Sequence, residues 1–110
     1  MTKYQVLHFV GEDLEVSMRG KIPAINKAFF DGQYKDVANL VAENLEEVYQ
    51  RTQHIKWNWV DALVDTSLDE PEGNKALVKE ARSTSIGDII FDTDSGETFA
   101  VAPFGFSKLS

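Results

Sequence analysis

The sequence predicts a single α+β domain over residues 1–110, a mainly antiparallel sheet of about four strands with one main helix packed on a face. Three observations carry that prediction. Two β-rich runs flank the polar link Asp94-Ser95-Gly96, the pattern of a hairpin. Asn44, followed three residues later by Glu47, has the spacing of a helix start directly after an apolar stretch. The chain is 43% hydrophobic and 26% charged over 110 residues, which suits one globular domain and not a disordered chain.

Residues 4–10 open the sheet. Tyr4, Val6, Phe9 and Val10 favour a strand, and Gly11-Glu12-Asp13 closes it with turn chemistry. Both faces carry apolar side chains (Tyr4, Val6 and Val10 against Leu7 and Phe9), as in a strand covered on both sides. His8 has no partner at metal-ligand spacing and reads as a strand histidine with one ring nitrogen hydrogen-bonded. Leu14 to Met18, with Leu14, Val16 and Met18 alternating, reads as a second short strand. A short helix is predicted over 23–30. Pro23 fits a first helical turn, Ile22, Ile25 and Phe29 form one stripe, and Gly32 supplies a left-handed residue to end it.

Residues 35–53 admit two parses. Val37, Leu40, Val41, Leu45, Val48 and Tyr49 recur at helical intervals, which would support one long helix. The internal cap at Asn44 favours a strand over 34–42 and then a helix over 44–53 that buries Leu45, Val48 and Tyr49. Trp57 and Trp59 fall on one side if their segment is extended, either as anchors for a partner or as lids over the core. Residues 65–74 form a polar, acidic loop. Its Asp65, Asp69, Glu70 and Glu72 miss the spacing of a calcium loop. Lys75 to Arg82 reads as a short helix capped by Asn74, with Leu77, Val78 and Ala81 on one side. The hairpin strands are placed at 87–93 and 97–102, and Pro103 ends the second. Phe104, Phe106 and Leu109 need cover, so the C-terminus is expected to fold back on the core.

With no cysteine, disulfides, cysteine-ligated metals and thiol nucleophiles are excluded. The net charge of −7 argues against wrapping a duplex or lying on an anionic membrane, since both require a basic patch. No run approaches the length of a membrane span. The N-terminal stretch reads as a strand of the mature protein, which predicts a cytoplasmic location. The sequence has no nucleophile elbow, phosphate loop or dinucleotide fingerprint. The expectation is therefore a non-enzymatic protein without catalytic residues, metal or cofactor.

The acid excess is uneven. Residues 1–57 carry eight acids and seven bases, whereas residues 58–110 carry ten acids and four bases. The most concentrated polar feature, Arg82-Ser83-Thr84-Ser85 ahead of Gly87-Asp88, has two readings. Its guanidinium and hydroxyls could bind an anion. Alternatively the hydroxyls bond local backbone while Arg82 pairs with a nearby acid.

Arg82-Ser83-Thr84-Ser85-Ile86-Gly87-Asp88-Ile89-Ile90, followed by residues 99–106 ending in Gly105-Phe106, resembles a pattern in small proteins of phages and mobile elements. Those read Arg-Ser-Thr-Ser-Val-Gly-Asp-Val, then a hairpin, then Val-Gly-Phe. The segments Gly32 to Ala38 and Leu45 to Ile55, with Trp57 beyond, are similar to their strand entry and helix. The likeness supports strand-then-helix for 34–53 and implies a phage or mobile-element setting, with no mechanism attached. The resulting expectation is an accessory protein that binds a host protein and neither nucleic acid nor membrane, with an acidic face mimicking nucleic acid. Its candidate surface is Trp57, Trp59, Asp61, Asp65, Asp69, Glu70, Glu72, Arg82, Ser83, Thr84 and Ser85. An anion- or ligand-binding module built on Arg82 to Ser85, or a virion or assembly component, are the alternatives.

Overall fold

The strand expected to be covered on both faces, β1 (Thr2–Phe9), is an interior strand of the sheet. In the computed structural model, which describes residues 2–53, 59, 74–79 and 81–109, it pairs antiparallel with β2 (Tyr34–Ala42) and β4 (Ile89–Asp92). Outside them lie β3 (Lys75–Ala76) beside β2, and β5 (Thr98–Ala102) and then β6 (Gly105–Lys108) beyond β4. The order is β3-β2-β1-β4-β5-β6. The fold class is thus α+β and antiparallel, with six strands among the described residues where about four were predicted.

The extra strands have plain causes. Residues 75–82 were expected to be a helix capped by Asn74. Instead Lys75 and Ala76 extend the sheet, and the Asn74 side chain accepts from the Val41 amide at 2.7 Å. The exposed edge of β2 presents backbone groups that need partners, and the segment supplies them. At the other edge β6 follows directly from the turn at Pro103. Leu109 is buried and Phe106 packs edge-on against Tyr49 at 6.2 Å. The C-terminus does fold back, but Phe104 at the turn is fully exposed, against the expectation that it needs cover.

Leu14–Ser17 is a helical turn, α1, where a strand was expected. Asp13 caps it by accepting from the Glu15 amide at 2.9 Å, and only Val16 of the alternating apolar residues is buried. Such a short apolar alternation does not distinguish strand from turn, and the cap decided it. The second helix, α2 (Ile22–Phe30), stands where predicted with Pro23 in its first turn, but at nine residues it is longer than the seven-residue helix over 45–51 that was expected to be the main one.

Strand-then-helix holds for the ambiguous stretch. α3 (Leu45–Arg51) begins at Asn44, whose side chain accepts from the Glu47 amide at 2.9 Å. Replacing Asn44 with alanine orphans that donor at an exposed helix start, so a loss of about 1 kcal/mol is expected in urea unfolding. The helical periodicity of 37–41 is reproduced by a bulge. Val6 faces Ala38 and Leu7 faces Asp36, so Val37 is the extra residue, and Val37 and Ala38 enter the same buried cluster.

Two cores result. One face of the sheet (Tyr4, Val6, Leu40, Ala42, Ile90 and Val101) lies under Val48 of α3 and Trp59. The other (Phe9, Ile89, Ala100) lies under Val16 of α1 and Ile25 and Ala28 of α2, with Leu109 closing it. Burial on both faces explains why β1 reads as apolar on both sides.

Candidate functional site

The polar cluster sits where β1 ends and β4 begins. The Arg82-to-Gly87 run has no regular structure, because Arg82, Ser83, Thr84 and Ser85 bond side chains and local backbone in place of a ladder. Gly87 makes the turn possible. It adopts φ +89°, and a Cβ there would lie 2.4 Å from the Val16 carbonyl oxygen. The turn delivers Asp88 to the interior, where it is fully buried.

That carboxylate is met by donors of this chain on both oxygens. Arg82 meets it with both terminal nitrogens, at 2.6 Å to Oδ2 and 2.8 Å to Oδ1. The Phe9 amide donates to Oδ1 and the Ser85 amide to Oδ2, each at 2.8 Å. Arg82 also donates to the Phe9 carbonyl at 3.1 Å and to the Ser83 carbonyl at 3.0 Å. The bidentate pair holds the guanidinium proton more tightly than in water, an effect that hydrogen bonding to Asp88 dominates. Tyr34 closes the outside of the turn, donating to the Gly87 carbonyl at 2.6 Å. Burial raises its phenol pKa, and Asp88 adds to the shift.

His8 lies beneath this pair. Its Nε2 is hydrogen-bonded to Thr84 Oγ1 at 2.9 Å and stands 3.9 Å from Asp88 Oδ2. Its ring rests against the Trp59 indole at 6.0 Å, and the indole donates to the Arg82 carbonyl at 2.7 Å. Burial pushes the imidazole down to about 4, with Asp88 opposing and Arg82 reinforcing the shift. Histidine, threonine and aspartate together are the residue types of a nucleophilic triad, but the geometry differs. A triad histidine contacts its nucleophile with one nitrogen and its carboxylate with the other. Here both contacts fall on Nε2, Thr84 is fully buried, and Asp88 is already engaged by Arg82. The arrangement ties segments together. It joins β1, the 82–88 turn and the end of α3, where the Thr84 amide donates to the Thr52 carbonyl and the Gln53 side chain donates to the Thr84 carbonyl.

The candidate surface residues therefore separate. Trp59 is 2% exposed and Thr84 is fully buried, so both belong to the interior. Of the two readings of the tryptophans, the core lid describes Trp59. Ser85 is exposed and Ser83 half-buried, while the Arg82 side chain is about half-exposed (47%) yet paired inward. An outside anion would have to displace Asp88 from the guanidinium. Trp57, Asp61, Asp65, Asp69, Glu70 and Glu72 lie outside the described residues. Asp88, which organises the cluster, lies outside the candidate surface that the sequence predicts. The signal was its place directly after Gly87 and six residues beyond Arg82. His8, which the sequence presents as solitary, acquires its partners only through long-range folding.

An open cleft of 530 Å³ lies between the 10–13 loop and α2, lined by Glu12, Asp13, Lys27, Asp31 and Gln33 among others. Among the described residues, no helix is long and apolar enough to cross a membrane. No protein-family model, curated protein or solved structure matches the chain.

Proposed function

We propose that this chain is a non-enzymatic accessory protein of a phage or mobile element that binds a host protein through its acidic second half. The observation that carries the reading is the charge asymmetry: ten acids against four bases in residues 58–110, in a chain of net charge −7. Internal pairing sharpens it, because Arg82 is bonded to Asp88 and Lys108 to Glu97. Two of the four bases of that half are thus spent on acids of the same half. Such a surface repels phosphate and attracts a basic protein site, including one that ordinarily holds nucleic acid. The resemblance of the Arg82–Asp88 motif to small phage proteins supplies the setting. The cytoplasm of the host is the compartment this reading requires.

The test is capture of a host protein on the tagged chain, followed by a salt series. Retention is expected to weaken steeply as salt rises, because screening shortens the reach of exposed charges. Converting Asp61, Asp65, Asp69, Glu70 and Glu72 to their amides is expected to abolish capture without altering the fold. Capture that is indifferent to salt and to those five substitutions overturns the reading.

A further inference from the structure

We propose that the Arg82–Asp88 clasp is acid-released: charging His8 displaces the Arg82 guanidinium from Asp88 and loosens the Arg82–Ser85 turn while the sheet stays paired. The turn makes no strand pairing of its own. Its attachments to β1 are polar: Arg82 to the Phe9 carbonyl, Thr84 to the His8 ring, and Arg82 and Ser85 through Asp88 to the Phe9 amide. The sheet beneath is held independently by backbone pairing of β1 with β2 and β4 and by an apolar core. Polar straps of this kind open below the global unfolding free energy.

The outcome of charging His8 follows from who can leave. A buried imidazolium needs an anion, and the Asp88 Oδ2 atom is 3.9 Å away. Arg82 already holds that carboxylate, so two cations would share one buried charge. His8 is fixed on an interior strand and 4% exposed, whereas the Arg82 side chain is about half in water. Arg82 is the cation that can be rehydrated at small cost, and its departure breaks its bonds to the Phe9 and Ser83 carbonyls and the Ser85 hydroxyl, while Thr84 keeps its ties to Thr52 and Gln53. Among the described residues, the charged and titratable groups around His8 are Asp88 and Arg82 in the turn and Lys35, which stands opposite it on β2 with an exposed side chain. Tyr34 bonds the Gly87 carbonyl on the far side of Asp88. The direction is fixed by burial: the folded state favours neutral imidazole. That contribution is whole above the ordinary value of 6.5 and is lost as the pH falls to about 4.

The experiment is an NMR titration of dilute protein between about pH 7 and pH 3, following the His8 imidazole and the backbone amides. A His54→Asn background leaves His8 as the sole histidine. The expected result is a His8 midpoint far below 6.5, with the Thr84 and Ser85 amide resonances moving at the same midpoint. Amides of Val6, Leu40 and Ile90 hold their positions. In His8→Gln the turn resonances are expected to stay still over that interval. A His8 midpoint near 6.5, an unchanged turn transition in His8→Gln, or simultaneous loss of the core resonances would overturn the proposal. Should His8→Gln not fold, agreement or disagreement of the two midpoints in the His54→Asn protein decides it.

Discussion

Replacing Asp88 with alanine is expected to destabilise the protein by about 3 kcal/mol or more, the range measured when one partner of a buried ion pair is removed. The carboxylate is fully buried and accepts four hydrogen bonds, two from Arg82 and one each from the Phe9 and Ser85 amides. Alanine leaves those two amides without an acceptor, and the Phe9 amide at the end of β1 is a buried donor that water reaches poorly. The guanidinium contributes less to the loss, since a half-exposed side chain recovers much of its hydration. Arg82→Ala is accordingly expected to cost less than Asp88→Ala, because the carboxylate keeps both backbone donors. Urea unfolding of the two variants and of the double variant checks this. The double variant should lose less than the sum of the singles, as groups in one network do. Equal single losses would mean that the backbone donors contribute nothing, and additive ones that Arg82 and Asp88 are not coupled.

Gly87→Ala is expected to be the other severe substitution, with a loss of about 3 kcal/mol. Two costs combine: a left-handed φ for a residue with a Cβ, and an overlap that no rotamer relieves. The added carbon would lie 2.4 Å from the oxygen and 2.9 Å from the carbon of the Val16 carbonyl group, which is backbone at the end of α1. Gly32 provides the control. Its φ is also positive, at +74°, but nothing lies within 4 Å of the position a Cβ would take. Gly32→Ala is therefore expected to cost only about 1 kcal/mol, the conformational part alone. Thermal unfolding of the pair separates the two contributions. If both glycines respond alike, the close approach to Val16 carries no energy.

The two substitutions act on neighbouring residues for one reason. Gly87 lets the chain pass against α1, and only along that path does Asp88 reach the Phe9 amide. The Arg82–Asp88 motif is, on this geometry, a structural clasp, and any outside anion competes with a carboxylate already in place. That leaves the acids outside the clasp as the charges available to a partner.

Local chemistry in the sequence determined the elements whose signals are local. The cap at Asn44, the Pro23 start of α2 and the turn between β4 and β5 are each settled by residues within a few positions, and each stands in the structure where it was predicted. The α+β class follows from them. Elements whose state depends on a distant partner were not legible. Lys75 and Ala76 are a strand because the edge of β2 had donors to satisfy. Leu14–Ser17 differs for a local reason, since the Asp13 cap outweighs an apolar alternation too short to specify a strand. The candidate site divides along the same line. Arg82 and Asp88 are six residues apart, and a pairing of Arg82 with a nearby acid could be read from the chain. His8 joins them across a separation of 76 residues to Thr84, and Trp59 across 23 to Arg82. No sequence pattern encodes those distances. Burial decided them, because a carboxylate taken out of water must gather every donor the fold can bring to it.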